Sequence, residues 1–354
     1  MARALVPLEA RGTDAFVAQL RRAWDDGDAV FPLDPRLPPA AREAVLAAAR
    51  PDEPVEDGDA LVVGTSGTTG DPRCVVLTHD AVCTSAIATS DRLGVDPAAD
   101  RWLACLPLAH VGGLGVVTRA LHTGTPLTLL DRPDPEAIAT AATGGCTLVS
   151  LVPTLLARVD VSRFRTVVLG GSAMPPDLPA NAVTTYGMTE TGSGVVYDGT
   201  PLAGVEVRMV DGEIQLRGPM LLRAYRDGTD PRTGDGWFPT GDAGRWDADA
   251  GRLQVEGRVG DLIITGGENV WPVAVERVLA QHPAVAEVVV FGRADPDWGQ
   301  RVVARIVPRD ETIPPTLEEL RAWARERLPI WAVPRELELA RTLTRTPSGK
   351  VKRP

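Results

Sequence analysis

The sequence predicts an α/β fold with a large N-terminal α/β domain, a β-rich subdomain after it, and a small C-terminal α+β domain. The chain has 354 residues, more than one ordinary hydrophobic core accommodates. Between residues 101 and 169, apolar segments of strand length alternate with segments of helical periodicity, which indicates a largely parallel sheet. The pattern changes near Gly204 and again after Gly257. We therefore predict two domains, 1–258 and 261–354.

Periodicity, cap residues and turn residues give the individual elements. Predicted helices of the N-terminal domain are 13–24, 40–49, 80–92, 113–122, 135–143 and 154–159. Its predicted strands are 60–63, 75–77, 101–106, 127–130, 147–152 and 166–169, and a Pro-rich stretch covers 31–39. Gly/Asp turns separate antiparallel strands at 205–210, 213–216 and 252–256. The C-terminal segment has the order β-α-β-β-α-β, at 262–264, 273–281, 285–291, 302–307, 316–328 and 336–339.

Composition narrows the class of protein. Hydrophobic residues make up 44% of the chain, as in globular proteins. A net charge of −10 argues against nucleic acid or an anionic membrane surface as the main partner. We find no apolar run long enough to cross a bilayer and no signal-peptide pattern at the start. Four cysteines without metal-ligand spacing indicate reduced thiols and a cytoplasmic location.

The segment 64–79, GTSGTTGDPRCVVLTH, predicts a strand, a small polar loop and a second strand. Its glycines let the backbone approach a ligand, and successive N–H groups form an anion nest. The hydroxyls and Arg73 add hydrogen-bond donors and positive charge. No Lys-Ser/Thr pair follows the glycine, so this is not the phosphate loop of ordinary NTPases. A flexible Gly/Thr surface turn is the alternative that composition leaves open.

Six further motifs follow in order along the chain, and each is weak alone. They are PLAHVGGL at 107–114, GGSAMP at 170–175, YGMTET at 186–191, TGD at 240–242 with GRVGD at 257–261, GGENVWP at 266–272, and RTPSGKVKR at 345–353. TGD is most often a turn, and a lone histidine is usually a core or surface residue. Lys350 and Lys352 are the only lysines among 37 basic residues, which suggests a specific reason for a lysine near the end.

In this order the motifs resemble the adenylate-forming superfamily of acyl-CoA synthetases, adenylation domains and luciferases, over about residues 60–350. The resemblance implies that a carboxylate attacks the α-phosphorus of ATP, which releases pyrophosphate, and that a thiol then displaces AMP. It also implies a mobile C-terminal domain that rotates between the two steps. ATP, Mg²⁺ and coenzyme A follow as cofactor, metal and co-substrate.

The resemblance assigns roles residue by residue. The implied catalytic residues are Lys350, His110, Glu190 and Thr189, with Glu190 as the Mg²⁺ ligand. The implied nucleotide-binding residues are Thr65, Ser66, Gly67, Thr68, Thr69, Gly70, Arg73, Gly171, Ser172, Tyr186, Gly187, Met188, Asp242 and Arg258. The implied substrate contacts are His110, Arg119, Gly170, Gly171, Gly266 and Gly267. Lys350 would bridge the substrate carboxylate and the α-phosphate, a task that suits a flexible ammonium group.

Two positions depart from the superfamily pattern. Arg73 stands where a lysine is usual, and an arginine still neutralises phosphate charge. Gly260 stands at the hinge position, where Asp or Lys is usual. Glycine widens the accessible backbone range, so rotation stays feasible while the balance between conformers changes.

Arg119 suggests the class of acid. It lies nine residues after His110, inside the apolar stretch 112–121, with no acidic residue within a helical turn. Because a buried cation is costly unless paired, we expect it to meet a second carboxylate on the substrate. The alternative is an arginine that reaches the surface or pairs with a distant carboxylate.

Length and local sequence sharpen the resemblance. About 60 residues precede the phosphate loop, and PLAHVGGL, Arg119 and the segment 195–205, VVYDGTPLAGV, together resemble o-succinylbenzoate–CoA ligases of the short actinobacterial type, which act in menaquinone biosynthesis. That resemblance implies that Arg119 faces the benzoate carboxylate and that His110 gates the acyl channel. A CoA ligase for another aryl or dicarboxylic acid, an adenylation domain that loads a carrier protein, and a nucleotide-binding homologue without turnover remain alternatives, and a homodimer is left open.

Overall fold

The computed structural model describes residues 3–65, 72–172, 174, 177–345 and 351–354. The predicted site residues Ser66, Gly67, Thr68, Thr69, Gly70 and Lys350 lie outside these ranges. Contacts divide the chain into two units. Unit 1 comprises Met1–Arg208, Gln215–Pro239 and Ala248–Leu253, and unit 2 comprises Met209–Ile214, Thr240–Asp247 and Gln254–Pro354.

Helices form close to where periodicity and capping predict them. They are α1 (Asp14–Asp25), α2 (Pro39–Ala49), α3 (His79–Leu93), α4 (Val111–Thr123), α5 (Pro135–Thr143), α6 (Pro153–Leu156), α7 (Pro272–Leu279) and α8 (Leu317–Arg325). Side-chain oxygens of Thr13, Thr78, Asp134 and Thr316 accept hydrogen bonds from the first turns of α1, α3, α5 and α8. None of the described helices has the length and apolar character needed to cross a membrane.

The strands of unit 1 that precede residue 206 are β1 (Leu5–Glu9), β2 (Ala29–Leu33), β3 (Asp59–Thr65), β4 (Arg73–Thr78), β5 (Trp102–Ala104), β6 (Leu127–Leu129), β7 (Leu148–Leu151), β8 (Thr166–Leu169), β9 (Ala182–Gly187), β10 (Gly194–Tyr197) and β11 (Thr200–Pro201). The later strands are β12 (Glu206–Val210), β13 (Glu213–Arg217), β14 (Ala224–Tyr225), β15 (Phe238–Asp247), β16 (Arg252–Arg258), β17 (Ile263–Thr265), β18 (Glu268–Val270), β19 (Val285–Asp295), β20 (Gly299–Pro308) and β21 (Glu336–Leu339).

A seven-stranded sheet of order β11-β10-β9-β8-β7-β5-β6 is the framework of unit 1. Its strands β6, β5, β7, β8 and β9 are parallel to one another, whereas β10 pairs antiparallel with β9 and β11 pairs antiparallel with β10. Leu103, Val149 and Val167 are fully buried, because a parallel sheet is covered on both faces and its strands are continuously apolar. The alternation predicted between residues 101 and 169 is thus confirmed.

A second sheet of unit 1 has the order β1-β2-β3-β4-β14 and frames the Gly/Thr segment. Strands β3 and β4 pair antiparallel, with Thr65 opposite Arg73, so the predicted strand-loop-strand arrangement has its two strands in place. Strand β14 adds to the other edge of β4, where Tyr225 lies opposite Val75.

Unit 2 contains the β-α-β-β-α-β order that the sequence predicts for the C-terminal segment. Its sheet has the order β18-β17-β20-β19, with β21 parallel to β20. Buried residues from α7, α8 and the sheet, such as Val275, Leu320 and Val302, form its core. A four-stranded sheet of order β12-β13-β15-β16 contains the antiparallel strands expected after residue 204.

The structure contains strands that the sequence did not predict, namely β1, β2, β9, β10, β11, β14, β15 and β18, and three of these differences have a clear physical reason. Pro32 lies in β2, opposite Leu8 of β1, although the Pro-rich composition of 31–39 predicted no strand. Strand β9, which carries Tyr186, was not predicted, because its residues are only half-buried and give no periodic apolar signal. The TGD sequence lies inside β15 and not in a turn. In each case pairing with a neighbouring strand overrides the local composition.

Candidate active site

The carboxyl ends of the parallel strands β5, β7, β8 and β9 meet at one edge of the seven-stranded sheet. From β5 the chain continues to β6 on one side, and from β7 it continues to β8 on the other. Neighbouring strands that diverge in this way open a crevice at their carboxyl ends, where open α/β sheets bind ligands. The segments that lead to His110, Gly170 and Tyr186 leave the strands at this edge.

His110 is the N-cap residue of α4, and it is half-buried. Its carbonyl oxygen accepts from the N–H groups of Gly113 (3.0 Å) and Leu114 (2.9 Å). A Cβ atom at Gly113 would lie 2.4 Å from the Leu106 carbonyl oxygen, so only glycine permits this close turn. The partial positive charge at the start of a helix favours an anion beside His110.

The loop after β8 also requires glycine. A Cβ atom at Gly170 would lie 2.6 Å from Thr185 Oγ1, and Gly171 has φ of +85°. Gly170 therefore lies close to Thr185 of β9, and Gly171 adopts a backbone conformation that favours glycine. This is the arrangement expected of a loop whose backbone borders a flat ligand.

The YGMTET motif turns sharply after β9. A Cβ atom at Gly187 would lie 2.2 Å from the Ser193 carbonyl oxygen. The Met188 N–H donates to Thr191 Oγ1 at 2.9 Å, and that hydroxyl donates to the Ser193 carbonyl at 2.6 Å. Buried Thr191 thus fixes a short 3₁₀ turn, Thr189–Thr191, on which Thr189 and Glu190 are half-exposed.

Tyr225 links Glu190 to Arg73, and the sequence reasoning missed it. The Tyr225 hydroxyl donates to Glu190 Oε1 at 3.0 Å, and the Arg73 guanidinium carbon lies 3.9 Å from the centre of the Tyr225 ring. Burial, followed by the charge of Glu190, raises the pKa of Tyr225, so the phenol stays protonated and donates at neutral pH. Arg73 also lies 3.9 Å from the Asp227 carboxylate, in an exposed ion pair.

Arg119 is buried in α4, with 3% of its surface exposed, so the alternative in which it reaches the surface is wrong. Its Nη2 donates to Ser193 Oγ, and its guanidinium carbon lies 5.5 Å from the centre of the Trp102 ring. Among the described residues, Nε and Nη1 of Arg119 have no hydrogen-bond partner. Gly115 leaves the space for this contact, because a Cβ there would lie 3.1 Å from Ser193 Oγ.

A small pocket of about 10 Å³, room for roughly one water molecule, lies against α3 and α4 in unit 1. Small side chains at Ser85, Gly115, Thr118 and Gly192 leave this space open. Thr118 directly precedes Arg119, so the cavity and the buried guanidinium share one stretch of α4.

Asp242 and Arg258 form an ion pair within unit 2, a contact that the sequence did not predict. Arg258 Nε lies 3.0 Å from Asp242 Oδ1, and its Nη1 donates to the Thr240 carbonyl at 2.8 Å. The buried Thr240 hydroxyl accepts from the Asp242 N–H at 3.0 Å. Asp242 is buried while Arg258 is largely exposed, so the pair offers a carboxylate and a cation side by side.

Gly266 and Gly267 form the two-residue turn between β17 and β18 in unit 2. Their φ angles of +60° and +83° are those of a primed hairpin turn. The Trp298 ring covers Gly266, where a Cβ would lie 2.7 Å from a ring carbon. His110, Glu190 and Arg119 lie in unit 1, whereas Asp242, Arg258, Gly266 and Gly267 lie in unit 2.

Among the described residues no cluster of three or more His, Cys, Asp or Glu side chains could enclose a metal ion. Glu190 offers a single carboxylate beside two threonines. Mg²⁺ bound to ATP needs little more, because phosphate oxygens and waters fill most of its coordination sites. The donor set therefore fits Mg²⁺ carried by a nucleotide.

Comparison with known proteins decides the family. The family model for AMP-binding enzymes matches residues 16–226, and the model for their C-terminal domain matches residues 274–350. The chain belongs to the AMP-binding enzyme family. The adenylate-forming fold and the resemblance drawn from the motifs are confirmed.

Several similar proteins carry the name 2-succinylbenzoate–CoA ligase. The chain is 41% identical over 341 residues to a probable 2-succinylbenzoate–CoA ligase from Mycobacterium tuberculosis, with 89% of this chain and 88% of the relative covered. It is 35% identical to 2-succinylbenzoate–CoA ligase from Bacillus cytotoxicus, with 82% and 68% covered. The solved structure of o-succinylbenzoate CoA synthetase (MenE) from Bacillus subtilis, in complex with the acyl-adenylate intermediate OSB-AMP, is similar at 28% identity and a TM-score of 0.79, with 99% and 82% covered.

Proposed function

We propose that this AMP-binding enzyme is an acid–thiol ligase that converts o-succinylbenzoate to o-succinylbenzoyl-CoA through an acyl-adenylate. The names of its relatives and the OSB-AMP complex of a similar structure support the reaction. The cofactor and substrates follow as ATP with Mg²⁺, coenzyme A and the acid. We expect this chemistry in the cytoplasm, and a homodimeric assembly stays a prediction.

Arg119 is the single observation that carries the choice of acid. A guanidinium buried without an acidic partner in the described chain costs several kcal/mol unless a ligand supplies the counter-charge. An acid with two carboxylates supplies both the group that reacts and the counter-charge, since one carboxylate is activated and the other pairs with Arg119. A fatty acid or plain benzoate would leave the guanidinium unpaired.

In the first step, an oxygen of the aliphatic carboxylate attacks the α-phosphorus of ATP. The new C–O–P linkage forms while the bond from the α-phosphorus to the bridging oxygen breaks, and pyrophosphate leaves. We assign the β- and γ-phosphates to the loop 65–70 and Arg73, the α-phosphate to Thr189, and the reacting oxygens to Lys350. Mg²⁺ held by Glu190 would neutralise phosphate charge.

In the second step, the thiol of coenzyme A attacks the acyl carbon, a C–S bond forms, the C–O bond to phosphate breaks, and AMP leaves as the thiol proton is released. We assign His110 to positioning the carboxylate and gating the channel. Tyr186 would lie against adenine and Asp242 and Arg258 at the ribose. Residues 1–258 would form the adenylation domain and residues 261–354 the mobile lid.

A panel of acids tests the proposal directly. AMP formation is measured with ATP, Mg²⁺ and coenzyme A for o-succinylbenzoate, benzoate, succinate and a fatty acid. We expect kcat/KM for o-succinylbenzoate to exceed that for the monoacids by at least about 100-fold. Equal turnover of benzoate would overturn the choice of acid.

Two controls separate the alternatives. Acyl transfer to a phosphopantetheinyl carrier protein but not to free coenzyme A would identify an adenylation domain. An absence of ATP–pyrophosphate exchange with every acid would indicate a nucleotide-binding homologue. The variant Lys350→Ala should lose exchange, and retained adenylation would contradict the role of Lys350.

A further inference from the structure

We propose that Tyr225 is a positioning residue that orients the Glu190 carboxylate for Mg²⁺–ATP and supports Arg73 at the phosphates. This inference rests on the proposed function, because it assigns to Glu190 the metal and to Arg73 the phosphates. It concerns a residue that lies outside every motif quoted from the sequence.

Glu190 is held at two points by the segment that contains Tyr225. The Leu222 N–H donates to the Glu190 carbonyl oxygen at 2.7 Å, and the Tyr225 hydroxyl donates to Glu190 Oε1 at 3.0 Å. One bond fixes the backbone and the other fixes the rotation of the carboxylate. Since Oε1 accepts from Tyr225, Oε2 is the carboxylate oxygen that would be available to a cation.

The position of Tyr225 is itself fixed by strand pairing. It lies opposite Val75 in the β14–β4 pair, and the Arg226 N–H donates to the Cys74 carbonyl at 2.8 Å. The Tyr225 side chain is buried, so its hydroxyl has few other orientations. Strand β4, with which β14 pairs, begins at Arg73. The strand that fixes the position of Tyr225 is therefore the strand that follows the proposed phosphate loop.

The Tyr225 ring gives Arg73 a defined position as well. The guanidinium carbon lies 3.9 Å from the ring centre, a cation–π contact that fixes a long side chain whose surface is otherwise about half exposed. A planar guanidinium stacks on an aromatic ring better than an ammonium does. The contact therefore gives a physical reason for arginine at a position where lysine is usual.

In metal sites, a hydrogen-bond partner on the side of a ligand away from the metal orients that ligand, and Tyr225 would act on Glu190 in the same way. It fixes the direction of the free oxygen and lowers the entropy lost when the metal binds.

The variant Tyr225→Phe tests the inference, since it removes only the hydroxyl and keeps the ring against Arg73. We expect the Mg²⁺ concentration for half-maximal ATP–pyrophosphate exchange to rise by about tenfold, with kcat at saturating Mg²⁺ nearly unchanged. Calorimetric titration should show a similar loss of affinity for Mg²⁺–ATP and no loss for AMP. Tyr225→Leu should in addition raise the KM for ATP, because Arg73 loses its support.

Tyr197→Phe is the matched control. It removes another buried phenol hydroxyl of unit 1, whose hydrogen-bond partner is Thr89 Oγ1 at 3.2 Å and not Glu190. We expect it to affect thermal stability without a change in Mg²⁺ dependence. A double-mutant cycle with Glu190→Gln completes the test, because Tyr225→Phe should have no further effect on Mg²⁺–ATP affinity once the carboxylate is gone.

An unchanged Mg²⁺ dependence and Mg²⁺–ATP affinity in Tyr225→Phe would overturn the inference, as would an effect that persists in the Glu190→Gln background. Binding of Mg²⁺–ATP requires no acid substrate. The calorimetric measurement therefore tests Tyr225 even if o-succinylbenzoate proves to be the wrong acid, and the acid panel tests the proposed function separately.

Discussion

Arg119 shows how a single side chain depends on small neighbours. Gly115, one turn earlier in α4, leaves room for the guanidinium, and the Ser193 hydroxyl accepts a hydrogen bond from it. No sequence pattern connects either residue to Arg119. The apolar stretch around it predicted that an ionised group there needs a counter-charge. Arg119 is 3% exposed, and two of its nitrogens have no hydrogen-bond partner in the described chain, so a counter-charge from the substrate stays a prediction.

We predict that Arg119→Met raises the KM for o-succinylbenzoate by about 10- to 100-fold, because a charge-assisted contact with the second carboxylate is lost. The KM for a matched monoacid should change little. The thermal unfolding temperature should stay equal or rise, since an apolar residue of similar size replaces an unpaired buried charge. Parallel losses for both acids would instead indicate a structural role.

At the scale of elements, the C-terminal tail is fixed beside the position of the proposed catalytic lysine. Arg345 and Val351 form an antiparallel bridge on either side of residues 346–350. Arg353 donates to Asp261 at 2.8 Å and to both oxygens of Glu276 in α7 at 2.8 Å. Burial raises the pKa of Glu276 even with Arg353 against it, so this carboxylate depends on its partner.

We predict that Arg353→Ala lowers the free energy of unfolding of unit 2 by about 2–3 kcal/mol, because Glu276 is left buried without a cation. Denaturant unfolding monitored by the tryptophans of unit 2 measures this change. Arg309→Ala, which removes an exposed arginine of the same unit, is the control and should have little effect. Equal stabilities of the two variants would contradict the role assigned to Arg353.

Gly260 occupies a position in a short turn where the fold does not require glycine. It lies in a short 3₁₀ turn, Val259–Asp261, outside the left-handed region, and a Cβ atom there would contact nothing within 4 Å. The aspartate or lysine usual at this position in the superfamily would therefore fit in the described conformation. Any effect of glycine here must arise from backbone freedom and not from packing.

At the scale of the whole chain, two histidines make stability depend on pH. The rings of His79 and His122 lie 5.3 Å and 5.8 Å from the Trp24 ring, and burial lowers the pKa of both imidazoles. The unfolded chain therefore binds protons at a higher pH than the folded chain does. The stabilisation is complete above the unfolded pKa of about 6.5 and is lost as pH falls below it.

We predict that the free energy of unfolding decreases between about pH 7.5 and pH 5, and that the double variant His79→Gln/His122→Gln shows a shallower decrease. Most aspartates with lowered pKa contribute at lower pH, and Glu276, whose pKa is raised, is common to the wild type and the double variant, so the difference between their slopes reports the two histidines. Chemical denaturation at several pH values provides the measurement. A variant with the full wild-type slope would show that these imidazoles are not responsible.

The sequence by itself determined the α/β class, the C-terminal β-α-β-β-α-β order and the family, because periodicity and motif order are local properties of the chain. The sequence also indicated Glu190, Asp242, Arg258 and Arg119 as candidate site residues. Their roles at the site stay predictions, but the pairing of Asp242 with Arg258 is present in the structure.

Only the tertiary structure decided which side chains support these groups. Tyr225 is 35 residues from Glu190, and Ser193 is 74 residues from Arg119. Such contacts follow from strand register and helix packing, which are set by pairing between distant segments and leave no local pattern. The same reason explains why TGD lies in a strand: its neighbours in the sheet, and not its own residues, determine its conformation.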